Sequence, residues 1–349
     1  MLLRRRLAFS RVLAVVIVVV LVVLAGVGFL LYENAANTAD QVKFSLGFPA
    51  SYFDAPHYYG LDQGYYRSNG INVTILPGTG GAAAITSVST GQVDFALTDA
   101  SGLVYSLVNS NVTNVRIVAV MFPKSFFGII YNKAKISTLS DIQGKTGAAG
   151  NPTTTIATKL FLALLKLNNL NISTMTMNYG SQTVVEEYVA TGKSDFAIGG
   201  AQDIAGLQAA ASKNGIQLGF FPYSQYGIDS YGEVLITSTS MIQSHSDLVR
   251  RFVLATLQSL TAATLNPAAA VASMEKYQPQ LNQTLMLQGF NIDVSCCLQG
   301  VSSSTDPLVF GYIDPARMQQ TVNTAVQGLG VNKSVNATSF YTDAYTVPP

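Results

Sequence analysis

The sequence predicts an α/β fold made of two similar lobes, preceded by a helix able to span a membrane. Three observations carry this expectation. Short apolar strands alternate with helical stretches, the pattern Thr-Gly-x-x-Asp-Phe-Ala occurs twice about a hundred residues apart, and residues 12–31 hold no charge and no proline.

The apolar run VLAVVIVVVLVVLAGVGFLL (12–31) comes first. About 20 residues at a helical rise of 1.5 Å cover the roughly 30 Å hydrocarbon core of a bilayer. Arg4, Arg5, Arg6 and Arg11 precede the run, and the first acidic residue, Glu33, follows it. The positive-inside rule therefore puts residues 1–11 in the cytoplasm, and the chain beyond a linker at 32–41 outside, held on the cell membrane by a single pass. The alternative is a cleaved signal peptide. The run is longer than the usual apolar region of such a peptide, and no clean Ala-x-Ala site precedes Asp40. A lipoprotein signal would need a cysteine just after the run, where Val27 and Gly28 stand.

Without those four arginines the exported part has 16 basic and 19 acidic residues, a net charge of −3. Nothing in it suggests nucleic acid. Charged residues make up only 11% of the chain, against about 25% in an average protein, so uncharged polar side chains must supply much of the surface. Sequons begin at Asn72, Asn111, Asn171, Asn282, Asn332 and Asn336, which suits an exported chain. The only cysteines are Cys296 and Cys297. Adjacent Cα atoms are about 3.8 Å apart, shorter than the usual disulfide span, so two thiols are expected, with a strained vicinal disulfide as the alternative. Two histidines, His57 and His245, have no metal-ligand spacing to the cysteines.

The expected strands are 42–48, 71–76, 93–98 and 115–122, then 175–180, 195–200, 216–221 and 233–238, with helices at 152–168, 181–191 and 201–213 between the later ones. Such alternation indicates parallel α/β units. Thr90-Gly91-Gln92-Val93-Asp94-Phe95-Ala96 recurs as Thr191-Gly192-Lys193-Ser194-Asp195-Phe196-Ala197. In each copy a helix stops at Thr-Gly and a strand enters as Asp-Phe-Ala, so the copies read as equivalent elements of two lobes.

In open α/β sheets ligands bind beyond the carboxyl ends of the strands, at helix N-termini. Small or hydroxyl residues stand at four such junctions: 78–81, 98–101, 151–155 and 199–201. Asn151 followed by Pro152 predicts a cap and first helical position there. Each junction alone is also ordinary turn chemistry.

The stretch Asp54-Ala55-Pro56-His57-Tyr58-Tyr59-Gly60-Leu61-Asp62-Gln63-Gly64-Tyr65-Tyr66, followed by Asn69-Gly70-Ile71-Asn72-Val73, resembles the opening of periplasmic binding proteins for sulfonates, taurine, nitrate and thiamine-pyrimidine precursors. Further similarity lies in the turn at 78–81, in Gly91 to Ala96, in Leu139-Ser140-Asp141-Ile142-Gln143-Gly144-Lys145, in Arg250-Arg251-Phe252 and in the ending Phe340 to Tyr345. The resemblance implies a type II periplasmic-binding-protein fold, with lobe one at 42–125 plus 232–349 and lobe two at 126–231. The crossovers would lie near Phe122 to Tyr131 and near Tyr223 to Glu233.

Carried over by position, the ligand site would use Tyr52, Phe53, Asp54 and Tyr58 of the first loop, Thr79 and Gly80, Thr98 and Asp99, and in lobe two Thr153, Thr154, Ser181 and Gly200. The chain departs from the family at Asp54, where many relatives carry Asn or His. A cleft-facing carboxylate there would accept hydrogen bonds from an amine and repel sulfonate or nitrate. Its alternative is a turn residue bonded to its own backbone. Tyr52, Phe53, Tyr58, Phe122, Phe126 and Phe127 would stack on a flat ligand, or else fill the core.

The resemblance also implies a role: the solute-binding component of an ABC importer, handing a small heteroaromatic or amine-bearing nutrient to a permease and its ATPase. The expected protein is a monomer without cofactor. A sulfonate, taurine or nitrate binder is the alternative ligand class, and a sensory ectodomain would need a partner chain because only about 11 residues lie inside. Enzymatic relatives that make the thiamine pyrimidine use a lysine-bound pyridoxal phosphate, a first-loop histidine and a cysteine-rich motif. This chain has Asp54 near that histidine position and no first-loop lysine, so an enzyme is not expected.

Overall fold

The computed structural model describes residues 39–109, 112–298, 306–328 and 335–348, together with Ile17. The expected anchor at 12–31 lies outside the described residues but for Ile17, and among the described residues no helix is long and apolar enough to cross a membrane.

Strand β1 (Asp40–Ser45) leads through a one-turn 3-10 helix (Tyr52–Asp54) into α1 (Ala55–Asp62) and α2 (Tyr65–Ser68). Next come β2 (Ile71–Leu76), α3 (Gly81–Ser89), β3 (Phe95–Asp99), α4 (Ala100–Asn109) and β4 (Val115–Val120). A first crossover delivers β5 (Phe127–Asn132), β6 (Thr146–Gly150), α5 (Ile156–Leu167), β7 (Thr176–Gly180), α6 (Gln182–Ala190), β8 (Phe196–Gly200), α7 (Ile204–Ser212) and β9 (Leu218–Pro222). A second crossover returns the chain to β10 (Glu233–Ser238). Helices α8 (Thr239–Ser244), α9 (Ser246–Leu265), α10 (Pro267–Glu275), α11 (Gln283–Cys296), α12 (Pro307–Phe310) and α13 (Pro315–Gly328) complete the order.

Two five-stranded sheets result, ordered β2-β1-β3-β10-β4 and β7-β6-β8-β5-β9. The orders are equivalent, and in each the first strand after a crossover is the antiparallel one: β10 lies between β3 and β4, and β5 between β8 and β9. The expectation of parallel units is corrected at β10, expected at 233–238, and β5 is not among the expected strands. Both faces of each sheet are covered, which is why β3 and β8 are buried throughout. In lobe one, one apolar layer unites α1, α9, α10 and α11, and another lies beneath α3, α4 and α13. In lobe two the layers lie under α5 and under α6 with α7.

The long helix α9 shows how sequence sets this packing. Phe252 stacks on Phe95 with ring centroids 4.0 Å apart, and Ser259 lies so close to Gly60 that any side chain at 60 would collide with it. The repeat also has a structural meaning. Gly91 and Gly192 end α3 and α6 at φ of 72° and 74°, the left-handed region glycine enters without strain. In each lobe the aspartate then grips the neighbouring strand: Lys43 N–H donates to Asp94 Oδ2 (2.8 Å), and Thr146 N–H to Asp195 Oδ2 (2.9 Å).

Two further expectations change. Helix α5 begins at Ile156, not Pro152, because Asn151 Oδ1 accepts from the Thr153 N–H (2.8 Å) and closes a side-chain turn ahead of the helix. Cys296 and Cys297 are joined as a vicinal disulfide rather than two thiols.

Candidate functional site

Where the lobes meet, α11 packs on α7 and on the one-turn helix Ala201–Asp203, while α13 packs on α5. Lys159 of α5 sits over the Tyr105 ring of α4, 3.5 Å from its centroid. Between these contacts six carboxylates converge: Asp54, Asp99, Glu233 and Asp293 from lobe one, Glu186 and Asp203 from lobe two.

Each is positioned by local structure. Asp54 ends the turn after β1, where Ser51 N–H donates to its Oδ2 at 2.9 Å. Asp99 closes β3 and takes the Gly102 N–H on Oδ1 at 2.9 Å. Glu233 opens β10 directly opposite Asp99 in the antiparallel ladder. Asp293 projects from α11, four residues past Gly289, whose bare Cα makes room for the Tyr52 ring. In lobe two, Glu186 lies over the side-chain-free end of β8 at Gly199 and takes Gln182 Nε2 at 2.6 Å. Asp203 Oδ2 takes the Gly200 N–H at 3.2 Å.

Asp54, Asp99, Glu233 and Asp293 are all at least nine-tenths buried, and in each one oxygen (Asp54 Oδ1, Asp99 Oδ2, Glu233 Oε2, Asp293 Oδ2) has no hydrogen-bond partner among the described residues. Burial pushes Asp54 up to about 8 and Asp99 to about 7, against backbone N–H groups that pull the other way. Burial raises Asp203 to about 6. Glu233 is raised well above the ordinary range, first by burial and then by Asp54, Asp293 and Asp99. Asp293 rises for the same reason, with Asp203 and Asp54 adding to it, and Glu186 through burial and then Asp203. Tyr52 stands among them, its phenol raised by burial and by Asp203, Asp293 and Glu186. None of the described Lys, Arg or His residues contributes to the shifts of these six acids.

Such a site can accept hydrogen bonds from a cation, which would favour the ionised form of its carboxyls. It is not arranged for a metal: among the described residues no group of three or more His, Cys, Asp or Glu could hold one. A cavity of about 410 Å³ adjoins it, lined by Tyr52, Glu186, Asp203 and Leu207. A second, of about 320 Å³, lies by the crossovers between Lys124, Phe126, Pro222 and the Cys296–Cys297 disulfide.

The sequence profile of the NMT1/THI5 like family matches residues 54–270, from Asp54 through both crossovers and into α10. The chain belongs to the NMT1/THI5-like family. No curated protein matches the sequence. Among solved structures, this NMT1/THI5-like chain is similar to the periplasmic aliphatic sulphonate binding protein of Escherichia coli, with 11% identity, a TM-score of 0.65 and coverage of 88% of this chain and 94% of that one. The ligand binding component of an ABC-type import system from Staphylococcus aureus, with zinc bound, gives 13%, 0.64, 88% and 97%. The alkanesulfonate-binding protein of Xanthomonas axonopodis pv. citri, bound to MOPS, gives 13%, 0.62, 86% and 98%. At these identities the likeness establishes the fold, that of periplasmic binding proteins; all three neighbours are named for binding rather than catalysis.

Of the residues singled out from sequence, the fold of this NMT1/THI5-like chain brings Tyr52, Asp54, Asp99 and Gly200 to the acidic cleft. Thr98 is buried, with its hydroxyl against Gly81. Thr79, Thr153, Thr154 and Ser181 are exposed, at turns before α3, α5 and α6. Gly80, half-buried with φ of 131°, precedes α3. Phe53 is stacked on Phe126 in the lobe-one core. Tyr58 turns toward α10, accepting from Gln278 at 2.9 Å. Glu186, Asp203, Glu233 and Asp293 escaped the sequence reading. Their one signal is context: in a chain so poor in charge, each interrupts or adjoins an apolar element.

Proposed function

We propose that this chain is the solute-binding component of an ABC-type importer, capturing a small amine-bearing nutrient, heteroaromatic in character, between its two lobes. One observation carries the ligand reading: four carboxyls, each nine-tenths buried or more and each with an unpartnered oxygen, meet two more from the facing lobe without a compensating cation among the described residues. Burial holds these acids toward their neutral form, and a bound ammonium or amidinium offsets the cost of ionising them. Tyr52, beside Asp203 and Glu186 in the cavity wall, offers a ring on which a flat cation can stack. Once ionised, the same groups disfavour the sulfonates for which two of the neighbours are named. The two-lobed fold supports hinge closure, in which contacts from both lobes favour the closed form. The apolar run at 12–31 would tether a monomer outside the membrane and raise its effective concentration at the permease and ATPase.

The test is calorimetry and thermal shift on the purified full-length chain with aminopyrimidines, alkylamines, taurine, alkanesulfonates and nitrate. Amine-bearing compounds are expected to raise the unfolding midpoint, and Asp54→Asn to weaken them by at least about 1 kcal/mol. A midpoint that responds to sulfonates or nitrate alone would reject the amine reading.

A further inference from the structure

We propose that the Cys296–Cys297 disulfide is a thiol–disulfide exchange site, reached by a small dithiol through the cavity beside the crossovers, and that its redox state sets how firmly α11 holds the two lobes together. Such a device works whichever solute is bound.

The surroundings of the disulfide suit exchange. It stands at the C-terminal end of α11 and lines the cavity of about 320 Å³ together with Lys124 and Phe126 of the first crossover and Ser224 and Gln225 of the second. Cys296 is half-buried while Cys297 is only 2% exposed, so the Cys296 sulfur is the more open to attack. Lys124 is the one charged side chain among the described residues lining that cavity, and a nearby ammonium favours thiolate over thiol. Reactive cysteines occupy such partly exposed, electropositive places, whereas inert ones are sealed in apolar surroundings.

In the exchange a thiolate of the dithiol attacks Cys296 Sγ, the S–S bond breaks, and its electron pair leaves on Cys297 Sγ. The second thiolate of the dithiol then displaces Cys296 Sγ from the mixed disulfide. The dithiol is oxidised to its own disulfide, both cysteines are reduced, and the two protons of the dithiol end on them.

Reduction acts on the end of α11. In the disulfide form the two side chains and the peptide bond between them close one ring, which restricts the backbone at Cys297. That backbone caps the helix: the Cys297 and Leu298 N–H groups both donate to the Asp293 carbonyl, at 2.9 and 3.0 Å. Opening the ring returns rotational freedom to these residues, so keeping the cap costs more conformational entropy. The same helix carries Gly289 against the Tyr52 ring and packs on α7 and on Ala201–Asp203 of lobe two. A loosened cap therefore lies about two helical turns from the contacts that join the lobes.

The full-length chain, incubated with dithiothreitol in the absence of denaturant and then alkylated with iodoacetamide, tests both parts. Intact mass is expected to show both cysteines alkylated at a rate above that of global unfolding. Hydrogen exchange of the reduced chain is expected to be at least about threefold faster in α11 and in Ala201–Asp203, and reoxidation with diamide should restore the original rates. The Cys296→Ser/Cys297→Ser variant should match the reduced chain with or without dithiothreitol, which separates the disulfide from any other effect of the reductant. Cysteines that stay unlabelled until denaturant is added would overturn the exchange site. Labelling that leaves the hydrogen exchange of α11 unchanged would overturn its link to the lobes.

Discussion

Asp94 and Asp195 hold equivalent places in two equivalent sheets, and each accepts a neighbouring strand's N–H; Asp54 and Asp99 each accept one backbone N–H as well, yet each keeps a buried second oxygen with no partner among the described residues. The contrast separates two uses of one residue type. Asp195 is partly buried, which raises its pKa, yet Lys135 and the Thr146 N–H hold it below the ordinary carboxylate range. Asp54 and Asp99 also accept a backbone N–H, but no described cation acts on them or on Glu233, and burial pushes all three the other way. The first kind stabilises the lobe, and the second costs it stability.

Substitutions at the scaffold end of this contrast should have the largest effect. Asp195→Ala strips the Thr146 N–H and Lys135 of their partner, and urea unfolding should show a loss of about 2–3 kcal/mol. Asp94→Ala, which releases one backbone N–H and no cation, should cost about 1 kcal/mol; equal losses would erase the difference between the lobes. At the other end, Glu233→Gln in the ligand-free chain should stabilise at pH 8, by about 1–2 kcal/mol, because a neutral amide replaces a buried acid. A loss in the same unfolding assay would mean that Glu233 has a partner.

The pH response follows from the same acids. The folded pKa values of Asp54, Asp99 and Asp203 are raised to about 8, 7 and 6, so between about pH 4 and 8 the folded state binds more protons than the unfolded one. Stability of the ligand-free chain should therefore fall as pH rises through that window, by at least about 2 °C in Tm between pH 5 and 8. His57, lowered to about 3 by burial, acts in the opposite sense below about 6.5, but it is one group against several. A midpoint that climbs over this range would contradict the raised values. The smallest effect is expected at Lys135→Met: its side chain is 47% exposed, and loss of the pair should cost less than about 1 kcal/mol.

Much of the scaffold was legible in the sequence. The strands at 71–76 and 233–238 lie where the apolar runs placed them, and the Thr-Gly-x-x-Asp-Phe-Ala repeat marks truly equivalent joints. β6 was not legible, because Thr-Gly-Ala-Ala-Gly has no β-branched or aromatic core residue; its small side chains are what let Phe196 and Met177 pack against it. β5 fell inside the expected crossover. In the cleft, Asp54 and Asp99 were visible because they end a turn and a strand. Glu186, Asp203, Glu233 and Asp293 meet only through tertiary folding, and no local spacing links positions 186 and 293.

The exchange of β5 and β10 has a consequence for how the chain is made. Every strand of the second sheet comes from one contiguous stretch, Phe127–Pro222, whereas the first sheet keeps a gap between β3 and β4 until β10 has been synthesised. As the polypeptide emerges from its N-terminus onward, the half that begins later can therefore finish first, and the half that begins earlier must wait for residues on the far side of its neighbour.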